Sequence, residues 1–184
     1  MKKALLNIVT SPIESHIKKV SVIGVGSVGM AISMALVTQK ICTVLALVDK
    51  DDKRVKGEAM DLEEGTIYTG CRILSSNAGT VRNGDEEKVA WAQRNVDILK
   101  DIIPEIMKYN PEPVLLIVSG PVDILTYAAW KLSGLPQNRV LGSGTVLDSA
   151  RFRNLIAERL GVNSRSVHGF IVGEHEENSG MFQC

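Results

Sequence analysis

The 184 residues include only three cysteines, Cys42, Cys71 and Cys184, and no long apolar run. An odd cysteine count without metal or redox spacing argues against a disulfide scaffold and suits thiols kept reduced in a cytoplasm. Runs such as Val114 to Val118 hold five apolar residues, far short of a membrane span. Net charge is also missing: twenty-one Lys and Arg balance twenty-one Asp and Glu. A neutral chain exerts no global pull on nucleic acid or acidic lipid, so neither is an expected partner. No repeat or low-complexity segment is present. The opening Met1-Lys2-Lys3-Ala4-Leu5-Leu6 imitates a secretory leader, but Asn7 interrupts it and no small-residue cleavage site follows. The expected setting is cytoplasmic.

Short apolar segments alternating with helix-forming ones fill the remainder. After a polar lead from Ser11 to Lys19, Val20 to Ile23 reads as a buried strand and Ser27 to Gln39 as a helix. Val44 to Val48 is a second strand, and Asp51 caps a helix that Gly65 ends. Cys71 to Leu74 reads as a short strand, and Ser75 to Lys88 as a polar stretch. Val89, Val96, Leu99, Ile103 and Ile106 then recur at helical spacing, with Pro104 expected to kink that helix. Strands are expected at Pro113 to Val118, near Arg139 to Leu141, and at Val167 to Val172. Helices at Asp123 to Leu132 and Leu147 to Leu160 separate them. This alternation predicts an α/β fold with a parallel sheet covered on both faces.

Gly24-Val25-Gly26-Ser27-Val28-Gly29 matches G-x-G-x-x-G, follows a strand and opens a helix. Asp49 stands twenty residues beyond Gly29, at the end of the next strand. Alone, the pattern is a glycine turn and a solvated acid; in this context it reads as a dinucleotide site. Gly24 permits the tight turn, Gly26 the approach of pyrophosphate, and Gly29 close packing of helix on strand. The helix end at Ser27 and Val28 offers N–H groups to phosphate. Asp49 accepts from ribose hydroxyls and repels a 2′-phosphate, which favours NAD over NADP.

Asp148 and Arg151 share one helix face, and His175 follows a strand end. Together they suit a 2-oxo acid. Arginine grips the carboxylate, histidine hands a proton to the carbonyl oxygen, and aspartate orients the imidazole. Spacing alone leaves structural roles open: a helix-terminal acid, a surface arginine and a polar loop histidine.

Longer runs carry a resemblance. Lys56-Gly57-Glu58-Ala59-Met60-Asp61-Leu62, Pro121 to Tyr127, Asn138 to Gly144, Leu147 to Arg153 and Gly173-Glu174-His175 resemble the animal-type L-lactate dehydrogenase family from about Val20 to Glu174. The resemblance implies a Rossmann-type doubly wound sheet, NAD as cofactor, and hydride transfer between NADH and pyruvate or lactate. It places His175 at the proton donor and acceptor, Asp148 at its partner carboxylate and Arg151 at the substrate carboxylate anchor. Gly79 joins the cofactor residues, and no metal is implied. It divides the chain into an arm (1–19), an NAD-binding domain (20–144) and the truncated start of a substrate domain (145–184). A homo-oligomer, or association with full-length relatives, is the implied assembly.

The departures from the family point one way. Lys88 stands at the family's carbonyl-polarising arginine and loses the planar fork. Gly120 replaces an asparagine that contacts substrate and cofactor. Glu176-Glu177-Asn178 replaces Gly-Asp-Ser and adds carboxylates beside an anionic substrate. The apolar fourth strand is missing before Ala78-Gly79, and in the doubly wound order that strand lies mid-sheet. Either the first and fifth strands pair directly or Ile73-Leu74 substitutes. Most of the family's substrate domain is also not spanned. These features weigh against efficient turnover and toward an inactive NAD-binding or subunit-interaction relative. Arg82, at the substrate-discriminating position, raises a malate dehydrogenase-like alternative in which it holds a second carboxylate.

Overall fold

The structure, a computed structural model, describes residues 17–77, 88–175 and 180–182. The chain divides into two compact units, 1–81 and 82–184.

In the first unit, β1 (Lys19–Ile23), α1 (Ser27–Thr38), β2 (Val44–Asp49), α2 (Asp52–Glu64), α3 (Thr66–Thr69) and β3 (Arg72–Asn77) follow in order. The three strands form one parallel sheet, β1-β2-β3. This is the 3-2-1 half of a doubly wound sheet. Alternation on β2 buries Leu45 and Leu47 completely. They join Val25, Val37, Val55, Ala59, Leu62 and Ile73 in one apolar cluster. Full burial of each leucine contributes about 1.5–3 kcal/mol, so these side chains fix β2 at the centre. Asp51 caps α2 as expected, its carboxylate accepting from the Lys53 and Arg54 N–H groups.

β3 extends past Leu74 through Ser75, Ser76 and Asn77, which pair with Leu47, Val48 and Asp49. Backbone pairing with a buried neighbour outweighs the polar side chains that made this stretch read as a loop. Ile73 and Leu74 thus belong to the third strand and do not stand in for a central one. Among the described residues β1 pairs only with β2.

In the second unit, α4 (Lys88–Tyr109) runs through Pro104 as one helix. β4 (Leu115–Ile117), α5 (Val122–Ser133), β5 (Val140–Gly142) and α6 (Val146–Leu160) follow, then β6 (Phe170–Val172) and β7 (Gly180–Phe182). β4 and β5 form a parallel pair, and β6 and β7 an antiparallel one. Ile103, Leu115, Ala129, Leu135 and Val140 pack together under α4 and α5. Val114 and Leu116, alternating with buried Pro113 and Leu115, are each 62% exposed. The strands expected at Pro113 to Val118 and Val167 to Val172 shrink to three residues each. Apolar composition marks where a strand can lie, but its length follows from the partner available to pair with it.

Candidate functional site

In the first unit the glycine turn takes the form its spacing predicts. Gly24 has φ +96°, a conformation that favours glycine, and its N–H donates to Val48 O at 2.7 Å. A Cβ on Gly29 would lie 1.9 Å from the Gly24 carbonyl oxygen, so α1 packs on the turn at a distance only glycine allows. Gly26 stands at the N-cap of α1, where no side chain caps the helix and no acid occupies the first turn. A Cβ on Gly26 would meet nothing within 4 Å. The helix end at Ser27 and Val28 is therefore uncapped and open beside Gly26. This is the environment a pyrophosphate needs.

Asp49 ends β2. Its Oδ2 accepts the Val25 N–H at 2.8 Å and its Oδ1 accepts the Asp51 N–H at 3.2 Å. The carboxylate thus ties the strand end to the glycine turn, with lone pairs remaining for a ribose. Sequence spacing puts Asp49 near the turn; its grip on Val25 emerges only from the fold. Uncapped helix end, glycine cradle and half-satisfied acid together fit NAD. Gly79 lies outside the described residues.

In the second unit, α6 carries Asp148 and Arg151 in its first turns and β6 leads to His175. The His175 Nδ1–H donates to Asp148 Oδ2 at 2.5 Å, and the Arg151 guanidinium reaches Asp148 Oδ1 at 3.7 Å. Three side chains fasten α6 to the segment before His175. Thr145 Oγ1 donates to Ile171 O at 2.6 Å, and Ser149 Oγ accepts the Ile171 N–H at 3.0 Å. Arg153 Nε donates to Val167 O at 2.8 Å. Ser149 and Arg153 belong to the same run as Asp148 and Arg151, yet nothing in their spacing marks them as tethers. The cluster is open to water: the side chains of Asp148, His175 and Arg151 are 23, 46 and 64% exposed.

Two other expected positions are less complete. Lys88 is the first residue of α4, but its side chain lies outside the described residues, as does Arg82. At Gly120 the space for a side chain is filled. A Cβ there would lie 2.7 Å from Trp91 Cη2, and Asn95 Nδ2 donates to Gly120 O at 3.0 Å. Trp91 was not a candidate from sequence, because nothing in a helical pattern signals that it covers a loop 29 positions away. Among the described residues no group of three or more His, Cys, Asp or Glu is placed to hold a metal, and no helix is long and apolar enough to cross a membrane.

Parallel sheet, glycine turn and the acid that ends β2 define a Rossmann-type nucleotide-binding protein. The profile described as lactate/malate dehydrogenase, NAD binding domain, matches residues 18–86 and 70–142, and the chain belongs to this family. The two matched segments overlap over residues 70–86. L-lactate dehydrogenase of Petromyzon marinus is 49% identical over 176 residues, covering 88% of this chain and 53% of that protein. The B-B chain of Danio rerio L-lactate dehydrogenase is 44% identical over 194 residues, covering 97% and 58%. The A chain of Xenopus laevis is 47% identical over 176 residues, covering 88% and 53%. The chain thus spans just over half the length of these relatives.

Proposed function

We propose that this chain is an NAD-dependent oxidoreductase of the L-lactate dehydrogenase type, interconverting a 2-oxo acid such as pyruvate and its 2-hydroxy acid. The contact between His175 and Asp148 carries the reading, because a carboxylate on Nδ1 leaves Nε2 as the ring nitrogen facing a substrate. His175 gives its Nε2 proton to the carbonyl oxygen in reduction and takes it back in oxidation. Asp148 holds the imidazole in orientation and stabilises its charged form. Arg151 anchors the substrate carboxylate by two parallel hydrogen bonds, and Lys88 places a positive charge at the carbonyl. Gly24, Gly26, Ser27, Val28, Gly29, Asp49 and Gly79 would hold the cofactor. When bound, the nicotinamide supplies or accepts the hydride. A cytoplasmic setting and association with itself or with full-length relatives belong to the same reading.

A second reading is favoured by the exposure of His175 and Arg151 and by Trp91 in the space of the family's asparagine. In it the chain binds NAD without turnover. Purified protein titrated with NADH and then mixed with pyruvate separates the two. Binding with oxidation of NADH that His175→Asn abolishes supports the enzyme. Binding without oxidation supports the second reading, and no binding overturns both.

A further inference from the structure

We infer that Cys42 and Cys71 are an oxidisable pair that closes into a disulfide joining the head of β2 to the head of β3. The two residues are 29 positions apart, yet their Sγ atoms lie 3.8 Å from each other. Both are free thiols. Their backbones are held in place: β2 and β3 pair in parallel from Val44 and Arg72 onward, and the Arg72 N–H donates to Thr43 O at 2.9 Å between the two cysteines. Continued back one position, that register sets Cys71 opposite Thr43, so Cys42 is its diagonal neighbour, and the two sulfurs must close from 3.8 Å to the roughly 2.05 Å of a disulfide.

The surroundings give the pair an order of reaction. Cys71 lines a cavity of about 570 Å³ together with Glu63, Thr66, Arg72, Ile73 and Leu74. Both cysteines are almost wholly buried, Cys71 being 2% and Cys42 4% exposed, but only Cys71 borders the cavity. A small hydroperoxide entering the cavity is placed beside Cys71, the cysteine that lines it. The Cys71 thiolate attacks the outer peroxide oxygen and the O–O bond breaks. The inner oxygen leaves as an alcohol, or as water from hydrogen peroxide, with the thiol proton. Cys71 is then a sulfenic acid. Cys42 attacks that sulfur, the S–S bond forms, the S–O bond breaks and water departs with the Cys42 proton. Two thiols are oxidised by two electrons, and one peroxide is reduced. The product links positions 29 apart in the unfolded chain, which stabilises a small three-stranded sheet against unfolding.

The test uses the full chain carrying Cys184→Ser, treated while folded with hydrogen peroxide, then unfolded, alkylated and mapped by mass spectrometry. The expected product has lost two hydrogen atoms, yields a peptide joining Cys42 to Cys71, reverts with dithiothreitol and has a higher urea midpoint than the reduced chain. Cys42→Ser in the same background is expected to stall as a Cys71 sulfenic acid captured by dimedone, while Cys71→Ser leaves Cys42 unmodified. Alkylation of both thiols after peroxide treatment overturns the proposal, as does oxidation only after the chain is unfolded. Dimedone capture at Cys42 in Cys71→Ser overturns the order of reaction.

Discussion

His175 and Asp148 are joined at 2.5 Å across 27 positions of chain, and Ser149, next to Asp148, holds the amide of Ile171 on the strand that leads to His175. One helix turn thus both offers the carboxylate and fastens the segment bringing its partner. Ser149→Ala is expected to leave the Ile171 N–H without its acceptor and to lower stability by about 1 kcal/mol. Amide exchange at Ile171 should quicken while that at Leu45 does not. Unchanged exchange at Ile171 would mean the tether is dispensable.

Two glycines of the first unit are expected to respond oppositely to the same change. Gly29→Ala drives a methyl into the Gly24 carbonyl oxygen, at 1.9 Å before relaxation, and should lose roughly 1–3 kcal/mol and weaken NADH binding. Gly57→Ala lies inside α2 with open space around it and should gain about 0.5–1 kcal/mol. Urea midpoints of both variants check this. Equal effects would show that the turn relaxes freely.

Cofactor choice is expected to rest on Asp49. The protein is expected to bind NADH more tightly than NADPH, and Asp49→Ser to narrow the difference, because the carboxylate repels a 2′-phosphate. The same variant removes the acceptor of the Val25 N–H, so NADH affinity should fall as well. Nicotinamide fluorescence titrations measure both effects, and tighter binding of NADPH by the unaltered chain contradicts the assignment.

A pH dependence follows from Cys42. Burial, with the neighbouring Cys71 thiol adding to it, pushes the Cys42 thiol from an ordinary 9.0 to about 11. The folded state therefore prefers the protonated thiol. The stability it contributes is complete below about pH 9 and is lost as pH rises through about 11. The urea midpoint of the reduced protein should fall over that window more steeply than that of Cys42→Ala. Parallel curves would remove Cys42 as the cause.

Restoring a central strand is expected to stabilise the chain more than any point substitution. An insertion of about five to seven Val- and Ile-rich residues belongs after Asn77, where β3 ends, and would pair with β1. Three or four aliphatic side chains would be buried, at about 1.5–3 kcal/mol each, and the inserted backbone would hydrogen-bond to β1. A urea midpoint that stays level or falls would show that β1 has no need of that neighbour.

Period and punctuation made most of the fold legible. Val20 to Ile23, Val44 to Val48 and the Asp51 cap sit where local chemistry puts them, because burial and local chemistry ask for the same residues. Ser75 to Asn77 misled because pairing with Leu47 to Asp49 is a property of the partner strand. The acid, arginine and histidine were legible as chemistry. Their tethers were not, since Thr145, Ser149 and Arg153 look like ordinary helix residues until β6 lies beside them. Cys42 and Cys71 were read apart for the same reason: a spacing of 29 carries no signal until two strands align.

The packing of Trp91 on Gly120 makes the change at that loop hard to reverse. Putting the family's asparagine back at position 120 alone drives its Cβ against an indole carbon at 2.7 Å. Shrinking Trp91 alone opens a void beside the loop. Each single replacement is expected to cost stability, and only the double replacement makes room for a side-chain amide there, so the two positions are expected to be coupled rather than additive.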